Sequence, residues 1–204
     1  MTANFWIGLV LAFAATPALA LQCLVDASRT QIGVTLSYDP SYVRLDYPGG
    51  DVPLERGVCT DVLVRAYRAI GVDLQKAVHE DMRAHFSSYP RNWGLTTTDR
   101  NIDHRRVPNL QRFFTRHGQS LATDGVDADY LPGDLVSWRL PSGVPHIGIV
   151  SDRKSPSGTP LIVHNIGAGA REEDVLREFT ITGHYRYRPA GLAPACAEKP
   201  PGSD

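Results

Sequence analysis

The order of helical and strand-like segments is the feature that most restricts the fold of this chain. Between residues 59 and 118, apart from an irregular stretch at 87–106, the apolar residues recur with the 3.6-residue period of α-helices. After residue 130 they form four short β-branched or aromatic runs, "PGDLVSW", "HIGIVSD", "PLIVHNIG" and "ITGHYRY", separated by Pro, Gly and Ser turns. We therefore predict an α+β domain whose helices pack on one face of a small antiparallel sheet, with the four runs forming a meander.

Three helices can be placed before the strands. The clearest has an apolar stripe that consists of Cys59, Val62, Leu63, Ala66, Tyr67 and Ile70. A second is expected from Asp73, a good N-cap residue, to Phe86, and a third from Pro108 to Gly118. Between them lies an irregular stretch, residues 87–106, and loops of that length inside a domain are usually functional.

The first twenty residues, "MTANFWIGLVLAFAATPALA", contain no charged side chain and end in an Ala-x-Ala cleavage pattern. A permanent membrane anchor is the alternative, but the apolar run is shorter than the roughly 20 residues that a spanning helix needs. We expect residues 1–20 to be a signal peptide, residues 21–190 a single domain and residues 191–204 a flexible tail. The mature protein should then be exported, periplasmic or secreted, without stable membrane insertion.

The charge balance argues against one class of partner. The 204 residues include 21 basic and 22 acidic side chains, which gives a formal net charge of −1. Because nucleic-acid binding relies on an excess of basic charge, we expect no nucleic-acid partner.

The three cysteines can be divided by position. Cys23 and Cys196 lie near the two ends of the mature chain, and domain termini are often close in space. Unpaired cysteines are uncommon in oxidising compartments, so we expect a Cys23–Cys196 disulfide that leaves Cys59 free. A disulfide between Cys59 and either terminal cysteine is the alternative.

Cys59 is the candidate nucleophile. It stands in the first turn of its predicted helix, and a helix N-terminus lowers a thiol pKa, as nucleophilic attack requires. The same position also suits an inert core cysteine, since cysteine is among the most buried residue types.

Two histidines provide the partners that a thiol nucleophile needs. His146 opens the strand "HIGIV", Gly148 leaves room on the same face, and His164 lies on the next strand. Neighbouring strands would let His164 orient His146, as in a catalytic triad. Asn165 is a second candidate for the orienting residue, although strand alternation points it to the opposite face.

A cysteine at a helix start, followed by "HIGIV" and then "VHN", resembles the NlpC-type cell-wall peptidases, a branch of the papain-like superfamily. The resemblance spans roughly residues 45–167. It implies a papain-like fold with Cys59 as nucleophile, His146 as general base and acid, and His164 orienting His146. It further implies that Tyr47, in "YPGG", helps to stabilise the oxyanion, and that the substrate is an amide bond in peptidoglycan stem peptides.

The chain departs from that family at the nucleophile, because its usual D-C-S-G is replaced by "VCTD". The chain as a whole, with "HEDM", "NIDHRRVPNL" and "GHYRY", resembles a bacterial family catalogued as a domain of unknown function. That second likeness implies no activity.

Basic residues in the irregular stretch are candidates for substrate binding. We expect this loop to line the cleft and Arg105 or Arg106 to pair with a substrate carboxylate. A solvated basic surface is the alternative.

Two other functions compete with a thiol hydrolase. His79-Glu80 begins like the zinc motif H-E-x-x-H, but Arg83 stands where the second histidine should be. Cys59, His146 and His164 could also form a zinc site. We nevertheless expect no metal and no cofactor, and the remaining alternative is a non-catalytic cell-wall binding module on the same fold.

Overall fold

The computed structural model describes residues 17–189, with side chains from Leu21 onward. The helices are α1 (Pro17–Arg29), α2 (Cys59–Ala69), α3 (Leu74–Ala84) and α4 (Val107–His117). The strands are β1 (Ser37–Tyr38), β2 (Arg56–Gly57), β3 (Gln119–Leu121), β4 (Leu135–Arg139), β5 (Pro145–Lys154), β6 (Pro160–His164), β7 (Arg171–Glu173) and β8 (Thr180–Arg186). The expected tail and residues 1–16 of the expected signal peptide lie outside the described residues, as does Cys196 of the expected disulfide with Cys23.

The main sheet confirms the α+β prediction but corrects the meander. Its strand order is β3-β8-β4-β5-β6-β7, and all its pairs are antiparallel. Strands β4 to β7 do form a meander, whereas β8 returns across the sheet and pairs with β4. His184 and Arg186 of β8 both bind the buried Asp134 carboxylate just before β4, a contact between distant segments that no local pattern reveals.

The helices cover one face of this sheet, as predicted. Buried side chains of α1, α2 and α4 pack against Leu135, Ile147, Ile149 and Tyr185. The opposite face forms a second core under irregular segments, and its buried members are Tyr130, Val136, Trp138, Val150, Ile162, Val175 and Leu176. Because both faces of the sheet are buried, β5 has apolar residues on both sides.

The helix bounds agree with the periodicity except at two places. Helix α3 has the expected N-cap, since the Asp73 side chain accepts a hydrogen bond from the Lys76 N–H. It ends at Ala84, and Phe86 lies half-buried in a short 3-10 turn. Helix α1 was not predicted, although its buried Leu24 and Val25 belong to the core. None of the helices between residues 17 and 189 is both long and apolar enough to cross a membrane.

Candidate active site

Cys59 is the first residue of α2, and its side chain reaches strand β5. The thiol forms no disulfide with any residue between 17 and 189 and is only 3% exposed, and it accepts a hydrogen bond from the backbone N–H of Ile147. The register of β5 and β6 puts Val163 opposite Ile149, so Ile147 lies beside the point where β6 ends. The sulfur therefore lies against the peptide group that joins His146 to Ile147.

The environment of this thiol differs from the expectation. Burial raises the pKa of Cys59 to about 12, although the N–H groups of Ile147, Thr60 and Cys59 itself act in the opposite direction. The lowering predicted from the helix N-terminus is present, but desolvation outweighs it. The thiol is thus protonated at neutral pH.

His146 and His164 meet as the strand pattern predicted. The Nε2 atom of His146 lies 2.9 Å from Nδ1 of His164, and both rings are buried. Burial lowers the pKa of His146 to about 3, and burial also lowers the pKa of His164 while Glu173 partly opposes it. Two neutral imidazoles therefore share one hydrogen bond.

Gly148 makes this meeting of the histidines possible. A Cβ at position 148 would lie 2.5 Å from Cγ2 of Ile162 and 3.1 Å from Cβ of His164. Any side chain there would push β6 and its histidine away. The glycine of "HIGIV" is required by close packing of the two strands.

Asn165 occupies the face opposite to His164, as alternation predicted. Its Nδ2 donates to the carbonyl oxygens of Gly57 (3.0 Å) and Ser37 (3.3 Å). Asn165 therefore anchors the segment just before Cys59, whereas the ring of His164 contacts His146.

The tyrosine beside the thiol is Tyr38. Burial raises the pKa of Tyr38 to about 12, and a hydrogen bond with Cys59 contributes to that rise. Tyr47 lies elsewhere: its hydroxyl donates to Glu80 (3.4 Å), and its ring packs edge-on against His79. The Gln75 side chain binds Gly50 N and Asp46 O, so it ties this turn to α3 and away from Cys59.

The guanidinium of Arg105, a predicted substrate-binding group, is paired within the protein. Its guanidinium makes two 3.0 Å hydrogen bonds to the carboxylate of Asp61 and two longer ones to the carbonyls of Ser41 and Asp39. Asp61 also accepts the Val58 N–H at 2.7 Å. The Arg105 side chain is 2% exposed, so it supports the start of α2 and does not reach solvent.

Arg106 does line the cleft that leads to Cys59. Its guanidinium lies 4.3 Å from the ring centroid of Trp93, and its Nη1 is buried without a hydrogen-bond partner among residues 17–189. Trp93 is 59% exposed and adopts φ +61°, which is uncommon for a residue with a side chain. The other lining residues are Tyr38, Pro40, Val58, Cys59, Ile102, Arg105, Val107, Pro108, Val144 and Pro145.

Glu173 is a member of the site that sequence analysis missed. Its Oε2 lies 3.0 Å from Nε2 of His164, on the side away from His146. The run "REE" lacks an apolar alternation that would mark it as a strand, so no sequence signal pointed to this carboxylate. Tyr38 was missed for a similar reason, since no motif surrounds it.

The sequence also offered two possible metal sites, one at His79-Glu80 and one at Cys59, His146 and His164. Between residues 17 and 189, no three His, Cys, Asp or Glu side chains are grouped so that they could hold a metal ion. His79 instead pairs through Nδ1 with Oδ2 of the buried Asp103 at 2.9 Å.

Comparison with known proteins identifies relatives of the whole domain. Residues 25–187 match the family described as "Domain of unknown function (DUF1287)". The chain is 59% identical over 164 residues to the "Uncharacterized protein YijF" of Escherichia coli (strain K12), which covers 80% of each chain. A solved structure, NlpC1 from Trichomonas vaginalis, aligns with a TM-score of 0.44 and 15% identity; the alignment covers 82% of this chain and 44% of that chain, less than half of its length. By its family match and its close relative, the chain belongs to the DUF1287 family.

Proposed function

We propose that this protein is an exported thiol hydrolase that cleaves an amide bond through an acyl-enzyme on Cys59. The observation that carries the proposal is the position of the Cys59 sulfur against the N–H of Ile147, next in the chain to His146. The His146 imidazole is held in turn by His164 at 2.9 Å. A nucleophile, a base and an orienting residue are the parts that covalent acyl transfer needs.

The reaction begins with a neutral pair, because the pKa of Cys59 lies above neutral pH and that of His146 below it. As the sulfur attacks the carbonyl carbon of the substrate, the thiol proton passes to Nδ1 of His146, the ring nitrogen that does not face His164. The oxyanion then collapses, the C–N bond breaks, and His146 gives the proton to the leaving amine. Water, with its proton taken by His146, releases the acid and restores the thiol.

Stabilisation of the oxyanion is assigned to Tyr38 instead of Tyr47. The raised pKa of Tyr38 keeps its hydroxyl protonated at neutral pH, so it can donate a hydrogen bond next to the sulfur. The backbone N–H groups at the start of α2 provide the other donors, because the first turn of a helix leaves them without intrahelical partners.

The cleft supports a substrate that is mainly apolar near the scissile bond and carries a carboxylate. It encloses about 170 Å³, less than the roughly 300–1,000 Å³ that hold a drug-sized ligand, so only part of a substrate enters. Asp61 neutralises Arg105, which leaves Arg106 as the cation of the lining that has a buried nitrogen without a partner. Together with the resemblance to NlpC-type peptidases, this favours peptidoglycan stem peptides.

Purified muropeptides incubated with residues 21–204 test the proposal directly. Mass spectrometry should detect fragments that differ from the substrate by one added water, and Cys59→Ala and His146→Ala should each abolish them. Folding of both variants is checked by circular dichroism. The second candidate function is a non-catalytic cell-wall binding module, and the buried, protonated thiol of Cys59 favours it. Muropeptides that the protein binds but leaves uncleaved would support this second candidate.

A further inference from the structure

Three side chains form a continuous hydrogen-bonded line across the sheet, from its edge strand to the base histidine. Oε2 of Glu173 on β7 lies 3.0 Å from Nε2 of His164 on β6. Nδ1 of that same ring lies 2.9 Å from Nε2 of His146 on β5. His164 therefore contacts Glu173 through Nε2 and His146 through Nδ1, and His146 contacts His164 through Nε2.

The carboxylate of Glu173, at one end of this line, determines which ring nitrogens carry protons. A carboxylate can only accept hydrogen bonds, so Nε2 of His164 must be the protonated nitrogen of that ring. A neutral imidazole has one donor and one acceptor, which makes Nδ1 of His164 an acceptor. Nε2 of His146 must then carry its proton, and Nδ1 of His146 is left as a bare lone pair.

We infer that Glu173 is a positioning residue that sets the tautomer of both histidines and so leaves Nδ1 of His146 ready to take the thiol proton. The inference rests on the proposed function for its consequence in catalysis, but the tautomers themselves can be observed without any turnover. Glu173 acts through His164 and does not touch the sulfur or the substrate.

The surroundings of Glu173 hold it in this role. In the β6–β7 register Glu173 lies opposite Ile162 and Arg171 opposite His164, so both side chains stand on the face that carries His164. Nη1 of Arg171 lies 3.6 Å from Oε1 of Glu173, which leaves Oε2 for the histidine. The Glu173 side chain is 36% exposed, whereas His164 is fully buried, so the line runs from the surface into the core.

Loss of the carboxylate removes the condition that orders the protons. With Glu173→Ala, Nε2 of His164 no longer has a fixed acceptor, and the opposite tautomer would place a proton on Nδ1 of His146. In that form the base cannot accept the thiol proton. The variant would thus keep the backbone geometry but hold His146 in the wrong tautomer, as happens when the aspartate of a serine protease triad is replaced by asparagine.

Long-range ¹H–¹⁵N NMR of ¹⁵N-histidine-labelled protein at neutral pH tests the inference. His146→Gln and His164→Gln assign the two rings. In the wild type both should be protonated at Nε2, with Nδ1 of His146 unprotonated, and Glu173→Ala should shift both rings toward mixed tautomers. A proton on Nδ1 of His146 in the wild type, or unchanged tautomers in Glu173→Ala, would overturn the inference even if the protein is an active hydrolase.

Steady-state kinetics of the Glu173 variants test whether the tautomer of His146 affects turnover. Glu173→Ala should lower kcat on the order of 10–100-fold with little change in KM, as removal of a supporting partner commonly does. Glu173→Asp should recover part of the loss, while Glu178→Ala, an exposed glutamate on the segment after β7, should match the wild type. Wild-type kcat in Glu173→Ala would refute the catalytic role. If the wild-type protein has the expected tautomers but cleaves no substrate, the hydrolase proposal is refuted and the role of Glu173 in setting the tautomers stands.

Discussion

Asp61 and Arg105 form a bidentate ion pair beneath the N-terminus of helix α2, 44 residues apart in the chain, with side chains only 4% and 2% exposed. The same carboxylate accepts the Val58 N–H, so the pair fixes the residue just before Cys59. Arg105, predicted to bind substrate, thus comes from the irregular stretch to support the start of the helix that carries Cys59.

Breaking this pair should destabilise the fold strongly. Arg105→Ala leaves the Asp61 carboxylate buried without its partner, and we expect the free energy of unfolding to fall by about 3–5 kcal/mol. Arg56→Ala, which removes the more exposed partner of Asp39, should change it far less. Urea titrations followed by circular dichroism measure both, and equal effects would contradict the structural role of Arg105.

The reactivity of Cys59 should depend steeply on pH. Because burial raises the pKa of this thiol to about 12, its thiolate fraction grows about tenfold per pH unit from neutral pH to pH 10. Iodoacetamide alkylation of the Cys59 peptide, measured by mass spectrometry, should rise in the same proportion. A rate that is already constant below pH 7 would show a preformed thiolate–imidazolium pair and refute the neutral pair.

Acid should destabilise the protein partly through His146. Its folded-state pKa of about 3 lies below the ordinary value of 6.5, so as pH falls the unfolded chain takes up the proton first and stability is lost from about pH 6.5 until the folded pKa is passed. Between pH 8 and pH 5 this single group should cost about 2 kcal/mol. In His146→Gln the loss over that interval should be smaller by this amount, and His85→Gln, at a half-exposed histidine, serves as the control. An unchanged pH dependence in His146→Gln would mean that the ring is solvated.

Tyrosine substitutions distinguish the structure from the family resemblance. Tyr38→Phe removes a donor next to the sulfur and should lower kcat about 100-fold, the usual order for loss of one oxyanion donor. Tyr47→Phe removes only the hydroxyl that binds Glu80 and should keep the wild-type kcat. The reverse order, measured on the same peptide substrate, would restore the assignment that the resemblance implied.

Arg106 should discriminate between charged and neutral substrates. Its side chain lines the cleft and its buried Nη1 has no hydrogen-bond partner within residues 17–189, so a substrate carboxylate that enters would gain a charge-assisted hydrogen bond. Arg106→Gln should therefore weaken kcat/KM by about 1.5–3 kcal/mol for a substrate with a free carboxylate. The same variant should have little effect on the matched substrate whose carboxylate is amidated. Equal losses on both substrates would mean that Arg106 only supports the Trp93 ring.

Much of the scaffold follows from local patterns. The apolar stripe from Cys59 to Ile70 defines α2, and the alternation of β5 and β6 places His146 and His164 on one face, because helical and strand periodicities depend only on near neighbours in sequence. Asn165 is directed to the other face for the same reason. The fold class, the position of Cys59 at the start of α2 and the histidine pair could therefore be predicted.

Contacts between distant segments decided the rest. Which tyrosine reaches the sulfur, and whether Arg105 faces a substrate or Asp61, depend on how residues 38–61 and 105 are brought together in space. The sign of the Cys59 pKa shift was decided there too: the helix N-terminus predicts a lowering from sequence alone, but desolvation between α2 and β5 is a property of the assembled core and is the larger effect. The sequence by itself determined where Cys59, His146 and His164 lie on α2, β5 and β6, because helical and strand periods depend only on neighbouring residues. Only the tertiary structure, by burying these side chains together, decided their protonation states and their other hydrogen-bond partners.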